Sequence, residues 1–215
     1  MIAERGEAAR YVAIITDGNG RWARARGKPV IEGHRAGADN LKARLRDAGE
    51  LGVLELTVYS FSTENWARPE EEVSGLMAMF AERIVEETPE LHEQGGIDAL
   101  LEQMAWAEEL TDANERITLF VAFNYGGRAE IVDAAKRFTD GDEDDFQALL
   151  YAPEMHDPDL IIRTSGEQRL SNYLMWQGAY SELVFRDELW PDFDRAAFEA
   201  CLAEFSARRR RFGGR

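Results

Sequence analysis

The chain has 215 residues, 45% hydrophobic and 31% charged, enough for one sizeable core and read as a single domain over 1–215. Acidic residues outnumber basic ones 41 to 25, and the net charge of −16 argues against nucleic acid or anionic lipid as non-specific partners. It also suits a halophilic cytoplasm, where salt screens the self-repulsion. Cys201 is the only cysteine, which excludes an internal disulfide. It falls on the apolar stripe of "FEACLAEF" and reads as a buried structural thiol. The N-terminus shows no apolar signal core, and no apolar run approaches the roughly 20 residues that span a bilayer, so a cytoplasmic location is expected.

Five short apolar runs predict strands: "YVAII" (11–15), "LELTVYSF" (54–61), "ITLFVAF" (117–123), "DLIIR" (159–163) and "ELVF" (182–185). They hardly alternate, as strands buried on both faces do not. Helical patterns lie between them. "HRAGADNLKARLRDAGELG" ends at Gly52 as a C′ glycine would end it. "VSGLMAMFAERIVEE" spaces Val73, Leu76, Met77, Phe80 and Ile84 for one helical face. A last helix follows Asp194, an N-cap, through Phe198, Leu202 and Phe205. Strands alternating with helices predict an α/β fold with a mainly parallel central sheet and helices on both faces. "TDGDEDD" (139–145) reads as a solvated acidic loop.

Ligands of such sheets bind beyond the carboxyl ends of the strands. The polar, glycine-rich clusters fall there: "TDGNGRW", "STENWAR", "NYGGR" and "TSGEQRLSN" follow the first four strands in turn. In the first, Gly18 and Gly20 permit a tight turn, the helix behind them offers free N–H groups, and Arg21 supplies a fork matched to phosphate oxygens. No GxxxxGK[ST] is present, and "GNG" lacks the third glycine of a dinucleotide fingerprint, so a nucleotide-binding reading has no motif to rest on. Asp17 would repel an anion unless a cation mediated, and Mg2+, which takes one or two carboxylates plus substrate phosphates, is the natural mediator. The alternative is an aspartate that caps the helix. Arg163, Arg169 and Ser171 could hold a second diphosphate, or Arg163 could pair with Glu167. Glu182 reads as a second metal ligand or as a strand-edge acid.

In sequence the chain resembles the cis-prenyltransferases of the undecaprenyl diphosphate synthase family. The matching motifs are "DGNGRWA" (17–23), "GHRAG" (33–37), "SFSTENWARP" (60–69), "NYGGR" (124–128), "RTSGEQRLSNYLMWQ" (163–177), "AYSEL" (179–183), "LWPDF" (189–193) and "RRFGG" (210–214), in the family's order. The resemblance implies condensation of isopentenyl diphosphate onto an allylic diphosphate, farnesyl or geranylgeranyl, with cis double bonds, giving a long-chain polyprenyl diphosphate. By the same likeness Asp17 binds Mg2+ and helps the allylic diphosphate leave. Gly18, Asn19, Gly20 and Arg21 cradle that diphosphate, Trp22 lines the wall, and His34 sits beside the phosphates as an aid to proton transfer. Ser62, Thr63 and Glu64 belong to a mobile segment over the site, Asn65 takes part in proton removal, and Trp66 and Arg68 lie alongside. Arg163, Arg169, Leu170 and Ser171 hold isopentenyl diphosphate, and Glu182 is the second Mg2+ carboxylate. The family further implies a homodimer whose basic end, Arg211 to Gly214, reaches toward the partner's site. It implies at most a peripheral membrane association for product release, and a product tunnel for which Leu76, Met79, Phe80 and the neighbourhood of Arg83 are candidate walls.

The sequence departs from the family in two places. Where an arginine commonly precedes the "GHxAG" motif this chain has Val30, with Lys28 nearby, and lysine lacks the bidentate fork. After Gly95-Gly96 the family's short strand is missing and "IDALLEQMAWAEELT" follows directly, so the sheet is expected one strand short, with a neighbour unpaired or the strands rearranged. The alternative to a synthase is a non-catalytic or degenerate homologue that binds diphosphates or partners an active enzyme. Retention of Asp17, Asn65, Arg163, Arg169 and Glu182 favours the synthase.

Overall fold

A computed structural model describes residues 8–86 and 97–208, and within them the side chains outside 81–86 and 97–103. The predicted basic end and the segment around Gly95 lie outside the described residues.

The five strands form where the apolar runs predict them: β1 (Tyr11–Ile15), β2 (Glu55–Ser62), β3 (Thr118–Tyr125), β4 (Leu160–Arg163) and β5 (Glu182–Phe185). They make one sheet in the order β3-β2-β1-β4-β5, and every pairing is parallel. The chain therefore winds outward from β1 to β3, then returns to the other side of β1 for β4 and β5. That reversal parts the loops leaving β1 and β4 and opens a crevice at their carboxyl ends, where α/β sheets bind ligands.

The sheet buries both faces. On one, Val12, Ile14, Leu56, Val58, Leu160 and Ile162 pack with Trp190, Phe193, Phe198 and Cys201, contributed by the chain beyond β5, and with Leu41 and Leu45 of α2 (Val30–Glu50). On the other, Ala13, Ile15 and Ile161 pack with Tyr59, Tyr125, Tyr173 and Leu174. A third cluster sets Leu76 and Met79 of α3 (Glu70–Glu86) against Phe61 and Phe123 at the carboxyl ends of β2 and β3. Cys201 is wholly buried, and burial pushes its thiol up to about 12, the inert structural thiol expected.

Helix ends follow their sequence signals. Gly52 takes φ +85° just beyond α2, and the Asp194 carboxylate accepts from Ala197 N at 2.8 Å to cap α7 (Arg195–Ala207). The acidic segment 139–145 is only half a loop. Asp142 caps a short helix, Glu143–Gln147, whose first turn carries Glu143, Asp144 and Asp145, where the helix dipole favours them.

The sheet is not rearranged. Its strands run in continuous register apart from shifts near Phe61, and β3 stands at its edge, paired to β2 and to no second strand among the described residues. Val121 of β3 is 41% exposed in consequence. A helix, Ile97–Thr111, packs against α3 in the stretch before β3.

Candidate active site

The first loop is shaped by contacts from beneath. Gly18 has φ +111°, and a Cβ there would stand 2.9 Å from Leu189 Cδ2, so only glycine lets the loop lie on the Trp190 turn. Trp190 N donates to Asp17 O at 2.9 Å, and Thr164 Oγ1 donates to the same carbonyl at 2.7 Å. Behind it, α1 (Asn19–Ala25) crosses α2 over two glycines one turn apart. A Cβ on Gly33 would lie 2.1 Å from Asn19 O, and one on Gly37 would lie 2.3 Å from Asn19 Oδ1. The "GHRAG" motif is thus the groove that receives the start of α1.

No side chain caps α1, so Asp17 is not a helix cap and the first N–H groups of α1 remain for a ligand. Instead Asp17 Oδ2 accepts from Arg163 Nη2 at 2.9 Å and lies 3.7 Å from Arg21 Nη2. Arg163 is buried at the end of β4, where Nη1 donates to Ser171 Oγ at 2.7 Å and to the Arg169 carbonyl, while Nε has no partner among the described residues. The pairing of Arg163 with Glu167 does not form. Glu167 meets Arg169 and lies 3.7 Å from Arg21.

These groups open on a cavity of about 780 Å³. One wall is the Asp17–Arg21 loop with Arg24. A second is His34, Arg68 and Glu72, and a third is Arg163, Ser171 and Asn172. The 3₁₀ turn Thr63–Ala67 contributes Glu64 and Asn65, and Ile15, Val30, Phe61 and Leu76 give an apolar side. Burial, reinforced by the Arg68 cation and opposed by Glu72, lowers His34 from 6.5 to about 4, so its imidazole is neutral near pH 7. Burial works to raise Glu64, but hydrogen bonds from Asn172, its own backbone, Ser62 and Thr63 outweigh it and hold the carboxyl below its ordinary value.

A prenyltransferase family model described as undecaprenyl diphosphate synthase matches residues 15–213. The chain is 50% identical to isoprenyl transferase 2 of Bradyrhizobium diazoefficiens over 236 aligned positions, covering 98% of this chain and 92% of that one. It is 47% identical to the isoprenyl transferase of Thermotoga maritima over 225 positions, covering 95% and 97%. Among solved structures, lavandulyl diphosphate synthase from Lavandula x intermedia, in complex with dimethylallyl diphosphate, superposes with TM-score 0.86 at 34% identity, covering 96% of this chain and 98% of that one. A probable undecaprenyl diphosphate synthase from Campylobacter jejuni gives 0.76 at 26% identity, covering 96% and 99%. The chain belongs to the undecaprenyl diphosphate synthase family. The 236 positions exceed the 215 residues of this prenyltransferase, so the Bradyrhizobium relative carries segments that this chain lacks.

Most of the predicted site residues of this family member converge. Asp17, Gly18, Asn19, Gly20, Arg21, His34, Ser62, Glu64, Asn65, Arg68, Arg163 and Ser171 all line the cavity. Others stand outside it. The Trp22 indole donates to Asp192 at 2.7 Å with the Arg26 guanidinium 4.3 Å above its ring. Thr63 packs on Gly126, and Trp66 is 42% exposed with Nε1 bound to Asn124 Oδ1 at 2.7 Å. Arg169 pairs with Glu167, and Leu170 packs into the core beside Tyr173. Glu182 is furthest from expectation. It is the first residue of β5, in register with Leu160 at the amino ends of the strands, and is bound to Arg208 at 2.7 Å. In a parallel sheet that end lies away from the rim that carries Asp17, so the two carboxylates do not meet within this chain. Of the tunnel candidates, Leu76 reaches the cavity, Met79 and Phe80 back it, and the Arg83 side chain is outside those described. Val30, in place of the family's arginine, lines the cavity, and Lys28 stands over the Trp22 ring. Arg24 and Asn172 line it unpredicted. Arg24 was signalled by its place one helical turn after Arg21, and Asn172 by its place at the end of the polar "TSGEQRLSN" cluster that follows β4.

No helix among the described residues is long and apolar enough to cross a membrane.

Proposed function

We propose that this protein condenses isopentenyl diphosphate onto an allylic diphosphate, farnesyl or geranylgeranyl, to give a long-chain polyprenyl diphosphate. The observation that carries the reading is the Asp17–Arg163 contact at the β1/β4 crevice, with unclaimed N–H groups on one side of it and an apolar wall on the other. Cations and free donors suit two diphosphates, and Phe61 and Leu76 suit an isoprenoid tail.

Mg2+ fits this wall. Among the described residues no group of three potential ligands gathers, but one part-exposed carboxylate with substrate phosphates and water meets the ion's usual demand. When bound, the ion would offset charge developing on the departing diphosphate. In the reaction the bond from the allylic C1 to its diphosphate oxygen breaks, C1 joins C4 of isopentenyl diphosphate, and a proton leaves C2. Asp17 would hold the ion, while Arg21 and the start of α1 hold the leaving group. Arg163, whose buried Nε is unused, and Ser171 fix the second diphosphate and convert a bimolecular encounter into a local one. Neutral His34 offers a proton acceptor on the facing wall. Asn65 has no titratable group, so its part is orientation.

The test is incubation of purified protein in high KCl and Mg2+ with isopentenyl diphosphate and dimethylallyl, farnesyl or geranylgeranyl diphosphate, with products read by mass spectrometry. A ladder of polyprenyl diphosphates that vanishes in Asp17→Ala is expected. Folded protein that binds isopentenyl diphosphate yet extends none of the primers would instead be a non-catalytic homologue.

A further inference from the structure

The turn Thr63–Ala67 carries Asn65 into the cavity and is followed directly by Arg68, yet none of its own residues is buried. Its position therefore depends on what ties it down. Inside the turn, Ser62 and Asn65 cap each other. Among the described residues two side-chain bonds reach outward: Asn172 Nδ2 donates to Glu64 Oε1 at 2.9 Å, and Trp66 Nε1 donates to Asn124 Oδ1 at 2.7 Å. Both asparagines hold left-handed backbone, φ +65° at Asn172 and +51° at Asn124, and Ser171 beside the former has φ +49°. Non-glycine residues persist there only when their surroundings over-determine them, and they cluster at functional sites.

Asn172 is the better connected of the two. Its side-chain oxygen accepts from Arg128 N at 2.9 Å and its backbone oxygen from Gly127 N at 2.8 Å, which fixes it to the start of α5 (Gly127–Arg137). Gly126 lets the parts close, since a Cβ there would stand 2.6 Å from Thr63 Oγ1 and 2.9 Å from Asn172 Nδ2. On its other side comes Ser171, whose hydroxyl accepts from Arg163. One residue thus touches the turn that bears Asn65 and adjoins the loop that holds Arg163.

We propose that Asn172 is a positioning residue, a clamp whose amide fixes the Thr63–Ala67 turn to the Arg169–Ser171 loop, so that the two halves of the cavity are set together. Its effect on catalysis rests on the synthase reading, whereas the clamp does not.

The test uses backbone amide exchange over residues 62–68, measured at about pH 8, where unperturbed carboxylates hold no proton. Asn172→Asp keeps the left-handed preference and the oxygen that accepts from Arg128 N, but turns a carboxylate toward Glu64. Exchange of the turn should quicken about tenfold, the scale of one lost hydrogen bond to a charged group. Glu64→Gln retains an acceptor for Asn172, and its turn should exchange like the wild type. The double variant N172D/E64Q remakes the bond with donor and acceptor exchanged, and its exchange should return to within about threefold of the wild type. With active enzyme, KM for isopentenyl diphosphate should rise in N172D more than kcat falls, and should recover in the double variant. Unchanged exchange in N172D, or a double variant as fast as N172D, overturns the clamp. A protein that makes no product fails the synthase reading and leaves the exchange result to decide the clamp alone.

Discussion

Asp17 and Arg163, 146 residues apart in sequence, meet at 2.9 Å across the carboxyl ends of β1 and β4. The two are unequally placed. The Arg163 side chain is 4% exposed and that of Asp17 33%, so the guanidinium needs the carboxylate more than the reverse. Before substrates arrive, the carboxylate assigned to Mg2+ neutralises the cation assigned to isopentenyl diphosphate. The two substrate halves share one electrostatic pair.

Removal of Asp17 should therefore divide binding from turnover. In Asp17→Ala, kcat should fall by about a thousandfold, the scale of a lost charge-stabilising group, while isopentenyl diphosphate binds the freed Arg163 no more weakly. Steady-state rates and titration calorimetry on the same variant check both halves. Loss of isopentenyl diphosphate binding would show that Asp17 organises Arg163 rather than competing for it.

His34 gives a pH signature. Its folded pKa of about 4 lies below the unfolded 6.5, so the unfolded chain takes up a proton that the folded one refuses. Its stabilisation is complete above pH 6.5 and fades as pH falls from there toward 4, by at most about 3 kcal/mol. In His34→Gln, chemical denaturation at stepped pH should show a flatter dependence across that window.

Two helical glycines should respond to alanine with opposite signs. Gly33→Ala drives a methyl into Asn19 O and should cost about 3 kcal/mol or more, with loss of the diphosphate cradle. Gly75→Ala, on α3, meets only Ile31 Cδ1, at 4.0 Å, among the described residues and should gain about 0.5–1 kcal/mol from the unfolded chain's lost freedom. Thermal melts of the two variants decide.

The charge of −16 makes the last prediction. Where self-repulsion limits this chain, Tm should climb as KCl rises from low to molar concentration, most steeply at low salt, where the Debye length shrinks from about 30 toward about 10 Å. A melting temperature indifferent to salt would remove the halophilic reading.

The strands, the Asp17–Arg21 loop and Arg163 were legible from local chemistry, as apolar β-rich runs, glycines before a helix and an arginine after a strand. His34, and the individual places of Ser62, Glu64, Asn65 and Arg68 in the site, were reached only through the family resemblance. What escaped depended on register and on distant partners. The resemblance placed Glu182 at the metal, yet parallel pairing with β4 fixes it at the amino ends, the strand-edge acid that the residues alone left open. The partner of Arg163 proved to be Asp17 rather than nearby Glu167, a choice made by strand order. Asn172 stood in a polar cluster with no role to be read for it, because its contacts are with Glu64, Arg128 and Gly127, none of them adjacent in the chain. The sequence left two outcomes open after Gly96, a strand without a neighbour or a rearranged sheet, and among the described residues the order is regular with β3 at the edge.

The strand order also dictates when the protein can assemble. β1 is made before the other four strands and lies at the centre, but one of its two neighbours is β4, so half of its ladder waits for Leu160–Arg163. Pairings so remote in sequence close slowly. Until residue 160 or so has been made, an apolar strand and the aspartate behind it stand open along one edge, a window in which a growing chain can be captured by chaperones or by its own copies.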